Sequence, residues 1–208
     1  MKYKKLEVGF LGTNCYIIFS EIENKCMLID PAFDSGYIEK NIDGCTVDKI
    51  FLTHGHIDHI YQSGYFRQKY SAGIYIGEGD VKYLNTKTLH SPNGICSEFE
   101  NQDYKYDVAL TDNDKLEFCE YTFDVISTPG HTPGCMCLFG SGHLFCGDLL
   151  FYRSVGRTDF PMGSLNDMIN SIKNIMTLPD DTIVHPGHGA ETTIGDERLN
   201  NMYVKYYI

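Results

Sequence analysis

Apolar positions along this chain come in short bursts broken by turn-forming residues, and in one long stretch they settle into a helical period. Bursts at 4–8, 16–19 and 27–29, separated by turn residues, predict a three-stranded meander. Asp34 is placed to cap a short helix running to Ile42. The β-branched run 47–52 predicts a strand that stops at Thr53. A helix over 60–69, a strand at 73–76 and a helix over 80–85 follow. Residues 88–107 are polar and aperiodic and read as a long loop, either a lid or a disordered segment. Strands return at 115–118, 122–127, 136–139 and 144–146, the last two joined by a tight hairpin at Gly140-Ser141-Gly142. Ser164 then caps an amphipathic helix carrying Leu165, Met168, Ile169, Ile172, Ile175 and Met176 on one face, ended by Pro179. A short strand at 182–184 and one helix over 196–208 complete the chain. Each half reads as strands followed by helix. That pattern predicts one α/β domain over 1–208, with two sheets packed face to face and helices outside.

Charge and composition narrow the function. The formal net charge is −11, which argues against a nucleic-acid partner, since a phosphate backbone needs clustered positive charge. No apolar run approaches the roughly 20 residues that span a bilayer, so no membrane partner is expected. The basic start at Lys2, Lys4 and Lys5 leads into Glu7, Gly9, Gly12 and Asn14 rather than an apolar signal core, so a cytoplasmic location is expected. The eight cysteines include no Cys-x-x-Cys pair. In a chain this long they are expected to be free thiols, with Cys135, Cys137 and Cys146 in the core.

The sharpest chemical signal is Thr53-His54-Gly55-His56-Ile57-Asp58-His59. Four side chains able to ligate a metal lie within six residues, directly after a strand. By typical usage, a given window would match all four roughly once in a million. On extended backbone His54 and His56 face one way, while Asp58 and His59 fall on the turn into the next helix. Further donors follow other predicted strands: His131 in Thr128-Pro129-Gly130-His131-Thr132-Pro133-Gly134, Asp148 in Cys146-Gly147-Asp148, and His188 in His185-Pro186-Gly187-His188-Gly189. Together they offer five His and two Asp, enough for two divalent ions. Imidazole and carboxylate donors suit zinc, with iron and manganese as alternatives. His90 in the irregular stretch, His143 in a hairpin and His185 before Pro186 read as structural.

These motifs and their order resemble the metallo-β-lactamase superfamily, most closely its small relatives of glyoxalase II. The likeness extends to Asn14-Cys15-Tyr16, Asp30-Pro31, Gly147-Asp148-Leu149-Leu150-Phe151, Gly156-Arg157-Thr158-Asp159 and the run from His185 to Thr193. It implies an αββα four-layer sandwich with the site at one edge of both sheets. It also implies that His54, His56 and His131 hold one ion, that Asp58, His59 and His188 hold a second, and that Asp148 bridges them. Asp30 would orient a ligating histidine or else simply form the turn before Pro31. The implied reaction is thioester hydrolysis on a small molecule such as S-lactoylglutathione, with water activated by the ions; Asp58 would hold that water's proton or serve as a plain ligand. Arg157 would meet a substrate carboxylate or else form a surface ion pair. Tyr61 stands where relatives carry a small residue and would narrow the site or stack on substrate. Glyoxalase II proper adds a helical C-terminal region that helps bind glutathione. Few residues follow Gly195 here, so another thiol or a broader thioester range is also expected. The run Gly156-Arg157-Thr158-Asp159-Phe160 is shared with persulfide dioxygenases, which use one iron on residues matching His54, His131 and Asp148. Lactonase and nuclease branches are further alternatives, and the oligomeric state is open.

Overall fold

A computed structural model describes residues 1–91 and 104–207. Strands β1 (Lys2–Val8), β2 (Thr13–Phe19), β3 (Lys25–Ile29), β4 (Thr46–Leu52), β5 (Gly73–Gly77) and β6 (Val108–Leu110) form one sheet in that order. The expected meander is its antiparallel half, β1 to β3, and the rest is parallel. The second sheet orders β14 (Thr192–Thr193), β13 (Ile183–Pro186), β10 (His143–Gly147), β9 (Met136–Gly140), β8 (Tyr121–Ser127) and β7 (Lys115–Phe118). A small hairpin, β11 (Leu150–Phe151) with β12 (Ser154–Val155), stands apart.

Strand alternation makes the layers. Tyr16, Ile18, Met27, Ile29 and Phe51 point between the sheets, where they meet Phe118, Phe123, Val125, Leu138 and Phe145 of the second sheet. Their neighbours Ile17, Phe19, Cys26, Leu28, Ile50 and Leu52 point outward and pack with Ile38 and Phe66. Those two belong to helices α1 (Ser35–Asn41) and α3 (Ser63–Tyr70). On the far side, Cys137, Leu144 and Cys146 meet Met168, Ile172 and Ile175 of α5 (Leu165–Ile175). A strand buried on both faces reads as a continuous apolar run, which is why 16–19 carries no polar residue. The result is the αββα sandwich, helix layers outside two mixed sheets.

Several local expectations change. Asp34 holds the N-cap position of α1, as expected, but its side chain makes no capping bond. Its backbone is left-handed at φ 56°, and its carboxylate turns away to accept from Gly9 N at 2.9 Å. The helix expected over 60–69 is two pieces, α2 (Ile57–Ile60) and α3, because Gln62 N leaves the helical ladder to donate to Pro31 O. Residues 78–85 form a 3-10 helix rather than an α-helix. The loop expected over 88–107 falls mostly outside the described residues. At its start, Lys87–His90 form α4, and buried His90 bonds through Nδ1 to Tyr83 O, so it is not in irregular chain. The C-terminal helix is also two: α6 (Ile194–Asn200) and α7 (Met202–Tyr207). Between them Asn201 is fully buried, and its Oδ1 accepts from Tyr203 N at 2.9 Å, starting α7 afresh. Ser164 does cap α5, accepting from Asp167 N. The seven described cysteines are free. Among the described residues no helix is long and apolar enough to cross a membrane.

Candidate metal centre

Strands β8, β10 and β13 run the same way, so their C-terminal ends share one edge of the second sheet. His131, Asp148 and His188 follow those ends, and the segment 53–59 leaves β4 beside them. Two contacts lock the edges of the two sheets together. Met136 N donates to Thr53 O at 2.9 Å. On the other side, Asn14 N donates to Gly187 O, and Asn14 Nδ2 and Tyr16 OH both donate to Pro186 O. The loop that carries His188 is thereby pinned to β2.

The seven donors singled out from the sequence lie together. Three sets have ligand atoms within 4.8 Å of one another: His54, His56 and His131; His54, His59 and Asp148; Asp58, His59 and His188. Asp148 faces both ways. Its Oδ2 lies 3.6 Å from His131 Nε2, and its Oδ1 lies 3.5 Å from His59 Nε2 and 3.7 Å from His188 Nε2. His54, His56, His59 and His131 are buried, whereas Asp58 is 18% and His188 27% exposed, so solvent reaches the centre on their side.

Hydrogen bonds orient the rings. His131 Nδ1 donates to Arg157 O at 2.7 Å, which leaves its Nε2 lone pair aimed at His56 Nδ1, 2.9 Å away. His59 Nδ1 donates to Asp30 Oδ2 at 2.8 Å, leaving Nε2 for the centre. Asp30 is itself fixed by Thr53, whose N and Oγ1 donate to its two oxygens. Burial, with the neighbouring imidazoles, holds His54 and His56 well below the ordinary histidine range, so both are neutral donors of a lone pair. Burial would lower His59 too, but Asp58, Asp148 and Asp30 outweigh it and raise the ring to about 10. His188 rises for the same reason, with Asp58 bonding it and Asp148 near. Asp58 is held below the usual carboxylate range despite burial, by His59 and His188. One half of the centre therefore gathers lone pairs, and the other gathers negative charge.

Both halves fit divalent cations. His59 Nε2 and Asp148 Oδ1 are buried without a hydrogen-bond partner and face each other, an arrangement that costs free energy unless a cation joins them. Gly187 leaves room for this. A Cβ there would overlap Asp148 Oδ1 and crowd His59 Cε1, so the backbone approaches closely where a side chain could not.

The other expected contacts lie differently. The Arg157 guanidinium is exposed, paired with Asp159 through Nε and Nη2 at 2.7 Å each, and stacked 4.1 Å over Phe160. What it brings to the centre is its backbone oxygen. The Tyr61 ring is stacked on Phe33 at 5.1 Å. His143 lies at the start of β10, and its Nδ1 is 2.8 Å from His185 Nε2, while His185 Nδ1 donates to Glu191 at 2.6 Å. Cys146 points into the α5 side of the core. Sequence reasoning missed Asp80, a fully buried carboxylate touching both histidine segments. The only trace of it was an acidic residue in the turn after β5.

Comparison with known proteins agrees with the geometry. The family model described as the metallo-beta-lactamase superfamily matches residues 8–188. An uncharacterised protein of Aquifex aeolicus is 36% identical, covering 98% of this chain and 97% of that one. The hydroxyacylglutathione hydrolase GloC of Haemophilus influenzae is 29% identical, over 98% of both chains. Among solved structures, the BLEG-1 B3 metallo-β-lactamase superposes with a TM-score of 0.92 at 31% identity, covering 98% of this chain and 99% of that one. TTHA1623 in a di-iron-bound form superposes with a TM-score of 0.84 at 27% identity, covering 96% and 99%. With the sandwich, the ligand order and the family model in agreement, the chain belongs to the metallo-β-lactamase superfamily.

Proposed function

We propose that this hydrolase carries two metal ions and cleaves S-(2-hydroxyacyl) thiols such as S-lactoylglutathione, in the manner of glyoxalase II, releasing a hydroxy acid and a free thiol in the cytoplasm. The observation that carries the two-ion reading is the two-sided Asp148, with His131 at one oxygen and His59 and His188 at the other. Likeness to GloC along the full length of both chains supports the substrate class.

His54, His56 and His131 would hold one ion, and Asp58, His59 and His188 the other, with Asp148 between. Zinc suits these donors, and iron is the alternative that the di-iron relative brings forward. When bound, such ions polarise a carbonyl oxygen and bring the pKa of water toward neutrality. Asp58, on the solvent side, holds the proton of the attacking water at its carboxylate. Asp30 keeps His59 in the tautomer that points Nε2 inward. A thiolate leaves without a strong general acid, so no further acid is required of the chain. Arg157 would meet a substrate carboxylate only by exchanging it for Asp159. Arg157→Ala and Tyr61→Ala would raise KM if either side chain touches substrate, and leave it unchanged otherwise.

Metal analysis paired with four activity assays tests the reading. About two ions per chain and hydrolysis of S-lactoylglutathione are expected. One iron per chain with oxygen uptake on glutathione persulfide, and no thioester hydrolysis, would replace the reading with a dioxygenase. Turnover of a lactone or a β-lactam alone would move the chain to another hydrolase branch.

A further inference from the structure

Asp80 lies in the first turn of the 3-10 helix after β5 and is fully buried, with no side-chain cation bonded to it among the described residues. Its Oδ2 accepts from Gly55 N at 2.9 Å and from Thr132 Oγ1 at 2.6 Å, and its Oδ1 accepts from Gly134 N at 2.7 Å. Gly55 stands between His54 and His56, and Thr132 follows His131. One carboxylate thus ties the segment leaving β4 of the first sheet to the loop joining β8 and β9 of the second. The loop sits directly against the Asp80 backbone, since a Cβ on Gly134 would overlap Asp80 N.

We infer that Asp80 is a positioning residue for the His54, His56 and His131 half of the centre, holding three imidazole lone pairs together before an ion arrives. His54 Nε2 lies 3.0 Å and His131 Nε2 2.9 Å from His56 Nδ1. In the tautomers that present a lone pair on all three facing nitrogens, neutral rings brought so close repel, and other ties must then hold the two segments together. Met136 N on Thr53 O is one tie. Asp80 supplies three more, each to an N–H or O–H, and bonds to an ionised acceptor are roughly twice as strong as neutral ones. An ion that meets a site already assembled loses less free energy to ordering. No comparable bond from Asp80 reaches the Asp58, His59 and His188 half, so its influence is one-sided.

The inference rests on the metal reading above, and the test separates the two. Zinc affinities are measured by chelator competition in two backgrounds. His188→Ala retains the His54, His56 and His131 site for readout, and His131→Ala retains the other. In Asp80→Asn an amide N–H must face either Gly134 N or the Gly55 and Thr132 donors. The expected result is a loss of about 10–100-fold in affinity at the first site, typical of groups that orient ligands, with the second changed less than threefold. Thr132→Val, a milder change, should weaken the first site severalfold, and Thr132→Ser should restore it. Equal weakening of both sites, or a lowered melting temperature with the first affinity intact, would overturn the inference and leave Asp80 merely structural. If the parent protein binds no divalent metal, the metal reading itself fails and this one with it.

Discussion

Asp30→Asn removes one charge and turns one acceptor into a donor, and the structure allows the consequence to be worked through. Three donors converge on the Asp30 carboxylate: Thr53 N at Oδ1, and Thr53 Oγ1 and His59 Nδ1 at Oδ2, all between 2.7 and 2.8 Å. An asparagine has one oxygen for them. If that oxygen takes the Oδ2 position, the amide N–H₂ abuts Thr53 N, and a buried backbone donor is left unpaired, at a cost of about 1–3 kcal/mol. If it takes the Oδ1 position, His59 finds a donor at Nδ1, so the neutral ring that would hold an ion must keep its proton on Nε2, which removes the lone pair needed between Asp58 and Asp148. In either orientation the surviving bonds lose the assistance of charge. The sum is about 3 kcal/mol of stability, hence a fall of about 6–12 °C in melting temperature for a chain of this size. The second orientation adds a loss of about 10–100-fold in metal affinity. Urea unfolding of the metal-free protein and chelator competition measure the two separately. Stability within 1 kcal/mol of the parent together with unchanged affinity would show that Asp30 does not set the His59 tautomer.

Gly187→Ala drives a methyl group into Asp148 Oδ1 and His59 Cε1. Metal affinity and kcat should fall tenfold or more while the melting temperature changes by only a few degrees, and an unimpaired enzyme would mean the loop yields freely. Asn201→Ala removes the cap on α7 and the bonds from Asn201 Nδ2 to Ser154 O and Glu197 Oε2. It should cost about 2–4 kcal/mol in urea unfolding with metal affinity unchanged, and a matching loss of metal would tie the C-terminal helices to the centre. His143 is pushed down from its ordinary 6.5 to about 4, first by burial and then by His185. The unfolded chain therefore binds a proton that the fold refuses between those values, and stability should drop as pH falls from about 6.5 to 4. His143→Gln should flatten that part of the pH–stability curve, and an unchanged slope would place the proton uptake elsewhere.

Much of this architecture is written in local pattern, because a strand buried on both sides cannot hide its character. The run 16–19 and the alternation of Phe51 with Ile50 and Leu52 show which side chains point between the sheets and which toward the helices. The donors of the candidate metal centre were visible for a related reason. Each follows a strand end, and side chains that ligate metals are poor packing material, so they stand out against apolar runs. What stayed hidden depends on partners far along the chain. Asp34 looks like a helix cap until Gly9, 25 positions away, claims its carboxylate. The helix expected over 196–208 breaks at Asn201, whose buried amide caps α7 and also reaches Ser154 O, 47 positions away. Asp80 bonds across separations of 25 to 54 positions, and its neighbours in sequence announce nothing of the sort. Such residues share one physical trait: a buried polar group must be paired, yet local sequence does not say with what. For a centre assembled from four separate segments, the ligands are therefore the legible part. Of the carboxylates behind them, Asp30 could be named from its place in the Asp30-Pro31 motif, whereas Asp80 becomes legible only once the two sheets are packed and its three donors are seen.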